Sequence, residues 1–231
     1  MASQVGSSYS ARKNIHYDGR FTRDILSEED QKNTIRLLVK TYLNTVRELG
    51  VQTWLMHGSL LGWWWGKKVS LSYPLVSGRG VDGDPQVMPW DLDADVQVTE
   101  QDMYFLAAYY NMTTYYYEGD EMPKGRTYLL DVNPHHEHRE MDDVLNVIDA
   151  RWIDTTTGLF IDITSARYAL DHPQGEGILY DKHAHEFRDT YLYPLLETTF
   201  EGAPVKIPFG YKKMLESEYG EKALTNTRFH G

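Results

Sequence analysis

The sequence predicts a single α+β domain in which helices flank a mixed β-sheet. Apolar residues recur at helical spacing in some segments and alternate, or run together briefly, in strand-like segments elsewhere. The two kinds of segment are interleaved along the chain, which favours one sheet domain, although the order alone would also allow an α/β arrangement. The chain has 231 residues, 41% of them hydrophobic, which is enough to bury one sizeable core.

The first predicted helix runs from Glu28 to Leu49. Ser27 precedes it, and Asp30 follows three residues later, which is the spacing of a capping box. The apolar positions of the helix fall at the steps expected of one buried stripe: Ile35, Leu38, Val39, Tyr42, Leu43, Val46 and Leu49. Gly50 suits the position just past a helix end.

Shorter elements are predicted along the rest of the chain. A buried strand covers residues 51–56, and a helix begins within Leu60 to Trp65. A second strand covers residues 92–98, with Thr99 capping the helix that follows. The remaining predicted elements are strands at 113–118, 126–132, 144–153, 158–164 and 203–208, and a helix from Tyr211 to Tyr219 that ends at Gly220.

The predicted domain has two irregular parts. Residues 1–26 are expected to form an irregular arm, and residues 27–231 the domain itself. Within the domain, residues 69–86 are loop-like, rich in Gly and Ser, and separate two segments that would otherwise join. Two interpretations stay open for this insertion: an ordinary surface insertion, or a translated intron, since its ends could be encoded by splice-like codons.

Composition excludes several classes of function. The net charge is −11 and no basic stripe is present, so no nucleic-acid partner is expected. The absence of cysteine excludes disulfides, zinc–thiolate sites and thiol catalysis. No apolar run approaches the roughly 20 residues of a membrane span, and the polar start lacks a signal-peptide core. We therefore expect no membrane segment in this chain.

Alternating carboxylates are the main chemical signal. Asp91, Asp93 and Asp95 lie on one predicted strand and should project from one face, while the apolar residues between them face the core. Such neighbours repel one another unless a cation compensates, and oxygen ligands favour Mg²⁺ or Mn²⁺. A calcium loop of the EF-hand kind is excluded, because Val96 and Asp102 occupy its Gly and Glu positions. A solvated acidic edge strand is the competing interpretation.

Two further segments supply candidate site residues. His57, Gly58 and Ser59 form a small-residue turn between a strand and a helix, where backbone N–H groups can approach a phosphate. Asp162 lies between two isoleucines on a strand that looks buried, where a carboxylate is costly unless it is paired or binds a metal. We therefore predict that Asp162 completes the metal site.

These motifs together resemble a known family. A Gly-Ser turn followed downstream by alternating aspartates on a strand is typical of the nucleotidyltransferase superfamily. The chain is similar to the LicD/fukutin-related phosphotransferases in stretches 57–62, 89–95, 158–164, 193–195, 200–202, 205–208 and 218–220. Residues 62–68 and 148–151 are similar to the fungal branch tied to mannosyl-phosphorylation of cell-wall glycans. The resemblance implies a nucleotidyltransferase-like fold.

The resemblance also implies a reaction. A phospho-substituent (phosphocholine, ribitol phosphate or mannose phosphate) would pass from a CDP- or GDP-activated donor to a glycan hydroxyl, releasing nucleotide monophosphate. The resemblance further suggests the secretory pathway or Golgi, although no signal or anchor is visible in this sequence. Two alternatives stay open: a non-catalytic regulator or partner of a glycan phosphotransferase, and a true nucleotidyltransferase.

Site roles follow from the resemblance position by position. Asp93 and Asp95 would ligate Mg²⁺ or Mn²⁺, and Asp162 would complete the site. Asp91 would lie at or just behind the metal, and either Asp162 or Asp91 would accept the proton of the attacking hydroxyl. The turn at 57–59 would hold the donor phosphates through Gly58 and Ser59, with His57 supporting the turn rather than acting as a base.

Several other polar residues have two interpretations each. Asp149 and Arg151 could bind the donor or pair with each other. Lys67 or Lys68 could steady the leaving phosphate, although lysines after a helix are commonly plain solvated charges. The histidines in the segment 135–138 suggest zinc, but their spacing fits no standard ligand set, so a polar loop is the preferred interpretation for His135, His136 and His138.

Overall fold

The structure, a computed structural model, describes residues 16–72, 87–88, 93–140, 143 and 145–225. For residues 68–72 it describes the backbone but not the side chains. Predictions made for Asp91, for the side chain of Lys68 and for residues 73–86 lie outside the described residues.

A mixed sheet of eight strands organises the described part of the chain. The strands are β1 (Thr53–Leu55), β2 (Asp95–Thr99), β3 (Thr113–Gly119), β4 (Met122–Val132), β5 (Ala150–Asp154), β6 (Phe160–Tyr168), β7 (Ile178–Tyr180) and β8 (Glu186–Arg188). Six strands lie in the order β1-β2-β6-β5-β4-β3, while β7 pairs with β6 and β8 pairs with β7. The pair β2–β6 is parallel and the other pairs of this sheet are antiparallel.

Helices flank this sheet, which confirms the predicted α+β class. They are α1 (Glu28–Glu48), α2 (His57–Ser72), α3 (Glu100–Tyr109), α4 (Asp189–Leu192) and α5 (Tyr211–Tyr219), followed by a 3₁₀ turn (Glu221–Leu224). A separate two-stranded sheet contains β9 (Leu196–Phe200) and β10 (Ala203–Ile207). Helix α1 packs on β5, β6 and β10, whereas α2 packs on β2 and α5. In the part of the chain that the structure covers, no helix has the length and apolarity needed to cross a bilayer.

Helix α1 follows its prediction closely. Ser27 caps it by accepting a hydrogen bond from the Asp30 N–H, and its hydroxyl donates to the Asp30 carboxylate. Every residue of the predicted stripe is buried except Leu49, which is half buried at the C-cap. Each fully buried side chain of this type contributes roughly 1.5–3 kcal/mol, so the stripe fixes α1 on the sheet.

Several predicted boundaries are wrong, and two of them lie beside irregular stretches of the sequence. The strand expected at 144–153 begins at Ala150, because the residues before it turn: the Asn146 N–H donates to the Asp143 carbonyl, and the Asn146 side chain accepts from Asn133. Residues 69–72, expected to be loop-like, form the last turn of α2. Helical hydrogen bonding simply continues past the point where the composition changes.

The two faces of the sheet are covered unequally. Ile161, Ile163 and Trp152 belong to the main core, where the Trp152 ring stacks on Tyr128 at 5.6 Å between ring centres. Residues that alternate with them face the other side. There Phe160 joins a small cluster with Leu129, Ile153 and, from the segment before α1, Phe21. The second face therefore keeps room for polar side chains beside this small cluster.

Candidate metal centre

Asp93, Asp95 and Asp162 come together near the start of β2. Asp95 and Asp162 are register partners on the parallel strands β2 and β6, and Asp93 lies two residues before Asp95. Each side chain offers a carboxylate oxygen within 4.8 Å of the others, and each is partly buried. We call these three residues the acid cluster. The structure thus places Asp162 where the sequence predicted it, and the metal role stays a prediction.

Backbone contacts fix the strand that carries the acid cluster. The Asp95 N–H donates to the Ser59 hydroxyl oxygen at 2.8 Å, and Ser59 is buried. On the other side, the Asp162 N–H donates to the Ala94 carbonyl at 3.1 Å. Ser59 therefore positions Asp95, a role that the sequence did not predict. Its expected contact with a donor phosphate remains a prediction.

Two basic side chains contact the acid cluster. The Arg151 Nε donates to Asp162 Oδ1 at 3.0 Å, and His16 Nδ1 lies 2.9 Å from Asp93 Oδ2. Burial raises the pKa of the Asp162 carboxyl, more than the neighbouring Arg151 lowers it, and the Asp93 charge raises it further. A buried carboxylate in this environment gains from an additional cation.

Asp149 and Arg151 do not form the pair that was offered as one interpretation. Strand register sets Arg151 opposite Asp162, and the two side chains bond. Asp149 is fully buried and bonds instead with Arg167 at 2.7 Å and Lys182 at 2.9 Å. These buried ion pairs leave Asp149 enclosed by the chain's own cations, so that pairing prediction is wrong.

Helix α2 starts earlier than predicted. It begins at His57, so Gly58 and Ser59 form its first turn rather than a turn ahead of it. The Leu60 N–H donates to the Met56 carbonyl, and His57 has a φ of 50°, which redirects the chain between strand and helix. A first helical turn presents backbone N–H groups, as the phosphate prediction for this segment requires.

His57 is anchored by two carboxylates. Its Nδ1 lies 2.9 Å from Glu218 Oε1, and its Nε2 lies 3.3 Å from Asp181 Oδ2. Burial opposes the charged ring, but the nearby carboxylates of Asp181 and Glu218 outweigh it and raise the pKa of His57 to about 10. His57 therefore anchors the start of α2, as the sequence interpretation preferred.

Sequence reasoning missed the residues around His57. Asp181 and His185 occur in the run Asp-Lys-His-Ala-His at 181–185, and Glu218 lies on α5. The alternation of an acid with two histidines in that run was the one feature of the sequence that could have suggested a site there. Nothing in the sequence indicated that it would meet His57.

The remaining candidates occupy ordinary positions. Lys67 is exposed and lies 5.1 Å from the centre of the Trp63 ring, and its phosphate role stays a prediction. His135, His136 and His138 lie in and just after the turn that follows β4, where His136 Nδ1 contacts the Asn133 carbonyl. The described residues contain two groups that could hold a metal ion, and neither group includes these three histidines.

Comparison with known sequences identifies the family. The sequence model described as "LicD/FKTN/FKRP, nucleotidyltransferase domain" matches residues 84–209, more than half of the chain. This range contains the whole acid cluster. The chain belongs to the LicD family. The resemblance drawn from its motifs is therefore confirmed.

This LicD-family chain is similar to two proteins of Saccharomyces cerevisiae. It is 33% identical over 153 residues to "Mannosyltransferase regulator 4", a match that covers 65% of the chain and 11% of that protein. It is 28% identical over 160 residues to "Mannosyltransferase regulator 14", covering 68% and 15% respectively. The chain thus spans a small part of the length of these relatives. Both are consistent with the predicted fungal mannosyl-phosphorylation branch.

Proposed function

We propose that this LicD-family domain transfers a phospho-substituent from a CDP- or GDP-activated donor to a glycan hydroxyl. The observation that supports it best is the acid cluster, set by parallel strands in the family's nucleotidyltransferase domain. The names of the yeast relatives connect this branch to mannosyltransferases, which favours mannose phosphate among the possible groups.

The acid cluster has the composition of a site for a hard divalent cation. Its ligand atoms are all carboxylate oxygens within 4.8 Å of one another, a set that suits Mg²⁺ or Mn²⁺. In this proposal Asp93, Asp95 and Asp162 hold the ion. When bound, it would neutralise charge on the donor phosphates and on the leaving nucleotide.

The chain's own residues would supply placement and a proton acceptor. Ser59 holds the strand of Asp95, and the first turn of α2, at Gly58, would direct N–H groups to the donor phosphates. The acceptor oxygen would form a bond to phosphorus while the bond from phosphorus to the nucleotide phosphate breaks. The hydroxyl proton would pass to a carboxylate, with Asp162 and Asp91 as the candidates.

A second candidate function has specific support. Both yeast relatives carry the word regulator in their names, so a domain that keeps the metal site without turnover is the alternative. It would bind the donor, the cation, or both, and act on a partner enzyme. The intact acid cluster is compatible with either function.

Nucleotide release separates these functions. The full chain is incubated with Mg²⁺, CDP- or GDP-linked donors and glycan acceptors, and Mn²⁺ binding is measured in parallel by electron paramagnetic resonance. Free CMP or GMP that depends on the acceptor supports the transferase. Labelled nucleotide attached to the acceptor would indicate a nucleotidyltransferase instead. Bound Mn²⁺ without release from any donor would favour the regulator.

A further inference from the structure

A second group of ligand-type side chains surrounds the start of α2. His57, His185 and Glu218 each offer a ligand atom within 4.8 Å of the others. They come from three separate elements: the first residue of α2, the loop before β8, and α5. The side chains of His57 and Glu218 are mostly buried, and that of His185 is 32% exposed. We call these three residues the histidine cluster. The proposed transfer reaction does not use it as a set.

Both imidazoles of the histidine cluster face the same two carboxylates. His57 Nδ1 lies 2.9 Å, and His185 Nε2 3.8 Å, from Glu218 Oε1. The other nitrogens face Asp181: His57 Nε2 lies 3.3 Å from Oδ2, and His185 Nδ1 lies 3.2 Å from Oδ1. Each ring therefore turns one nitrogen toward Glu218 and the other toward a single aspartate. Metal-binding histidines are typically oriented by a carboxylate in this way.

We propose that His57, His185 and Glu218 form a binding site for a first-row transition metal ion, with Zn²⁺ as the best fit, and that Asp181 orients both imidazoles. Two imidazoles and one carboxylate are a known zinc ligand set. The site would discriminate against Mg²⁺, which favours oxygen ligands. The chain would thus carry two metal sites of different chemistry.

Asp181 is built to hold the two rings. It is fully buried, and its Oδ1 accepts the backbone N–H groups of His183 at 2.9 Å and His185 at 3.2 Å. Gln97 also donates to its Oδ2 at 3.3 Å. A carboxylate fixed by this many donors cannot swing away from the imidazoles. The orientation of the ligand nitrogens is therefore set before an ion binds.

One atom of the histidine cluster lacks a proper partner. His57 Nε2 is buried and, although close to Asp181, makes no hydrogen bond of acceptable geometry with any described residue. His57 as a whole is only 8% exposed. If an ion binds Nδ1, the ring can adopt the tautomer with a proton on Nε2. That N–H can then donate a hydrogen bond to the Asp181 carboxylate, which gives the buried donor a partner.

Solvent can reach the histidine cluster. A pocket of about 180 Å³ is lined by His185 and Glu218, together with Met56 and residues of α5 such as Met214. It offers a route for the ion and room for a water molecule as a further ligand. The ion would connect α5 to the start of α2, whose Ser59 holds Asp95. Its role is therefore to position the acid cluster.

Cobalt binding tests this site, because Co²⁺ bound by imidazole gives a visible absorption spectrum whose intensity reports coordination. The full chain is titrated with Co²⁺ and then with Zn²⁺. We expect a saturable spectrum that Zn²⁺ removes, and an affinity for Co²⁺ that falls at least about tenfold in His185→Gln and in Glu218→Gln. His172→Gln is the matched control, since His172 lies outside both clusters and pairs with Glu186. It should bind Co²⁺ like the wild type.

Three outcomes would overturn the site. The first is a wild-type chain without saturable Co²⁺ absorption, and the second is a His185→Gln variant with unchanged affinity. The third is loss of the spectrum in Asp93→Asn, which would place the ion in the acid cluster. Thermal unfolding guards against misfolded variants: in chelator each variant should unfold in one cooperative transition, although Glu218→Gln starts from a lower Tm because it removes a mostly buried partner of His57. Added Zn²⁺ should raise Tm only for the wild type, His172→Gln and Asp93→Asn. Failure of the transfer assay alone leaves this result unaffected.

Discussion

Two groups of charged side chains on β5, β6 and the segments beside them are balanced in different ways. Around Asp149, a fully buried carboxylate has Arg167 and Lys182 within 2.9 Å. In the acid cluster, Asp93 and Asp162 contact a histidine and an arginine, and burial raises the pKa of Asp162. The first group is neutralised by the chain itself.

We interpret the charges around Asp149 as structural and those of the acid cluster as candidates for a functional role. A buried ion pair is strongly destabilised when one partner is removed, since the other charge stays buried and unpaired. Partly buried carboxylates that lie close together instead repel one another, and a divalent cation bound between them offsets this repulsion. Asp149 therefore stabilises the folded sheet, whereas the acid cluster has the character that the proposed metal site requires.

The largest effect is expected at Asp149. Asp149→Asn leaves Arg167 and Lys182 buried beside a neutral group, so the free energy of unfolding should fall by about 3–5 kcal/mol. Urea denaturation in the presence of chelator measures it. Asp162→Asn is the matched comparison and should cost clearly less, because it also removes repulsion from Asp93. Equal losses in the two variants would contradict the comparison.

Substitutions in the acid cluster should lower activity strongly while changing stability little. Asp93→Asn and Asp95→Asn should each lower the rate of nucleotide release at least about 100-fold, since they remove charge that holds the proposed ion. Their free energy of unfolding should change by no more than about 1 kcal/mol. Asp120→Asn, the same change at an exposed turn, is the control and should keep full activity. Near-normal turnover in the first two variants would refute the metal assignment.

Metal binding to the acid cluster should be visible as stabilisation. Mn²⁺ at ten times its Kd should stabilise the wild type by about 1.4 kcal/mol, a rise in Tm of roughly 3–6 °C. Asp162→Asn should lose this response, whereas Asp149→Asn should keep it from a lower starting Tm. Differential scanning calorimetry provides the measurement. A full Mn²⁺ response in Asp162→Asn would remove that residue from the site.

The smallest effect is expected at an exposed ion pair. Glu121 contacts Arg36 and Lys40 at the surface, and these partners lower the pKa of its carboxyl. Water screens this pair, so Glu121→Gln should lower the free energy of unfolding by no more than about 1 kcal/mol. A urea titration alongside Asp149→Asn gives the direct contrast. If Glu121→Gln lowered the free energy of unfolding as much as Asp149→Asn does, burial would not explain why the two ion pairs differ in their contribution to stability.

Local pattern was enough to predict much of the fold and part of the site. The stripe of α1 and its cap at Ser27 follow from spacing alone. Asp162 was predictable because an acid between two isoleucines on a strand needs a compensating partner. Both arguments use only the neighbours of a residue in the chain. The structure confirms α1 and places Asp162 beside Asp93 and Asp95, while its metal role stays a prediction.

Pairings between distant segments were not predictable in this way. Which residue lies opposite Arg151 depends on the register of β5 and β6, and a shift of one residue would have changed its partner. The histidine cluster joins His57 to Glu218 from the other end of the chain. The early start of α2 depends on the positive φ of His57, a conformation that is uncommon outside glycine and that the sequence pattern does not reveal.

The parallel pairing of β2 with β6 has a consequence for biosynthesis. Asp95 meets Asp162 only after β3, β4 and β5 have been made and the chain has crossed back beside β2. Long-range pairing of this kind forms slowly. A ribosome-bound chain that has emerged only as far as β5 therefore contains Asp93 and Asp95 but lacks Asp162, so the acid cluster cannot form. Under the proposed function, cation binding would then require that β6 has paired with β2, and immature chains would have little means of binding a sugar nucleotide.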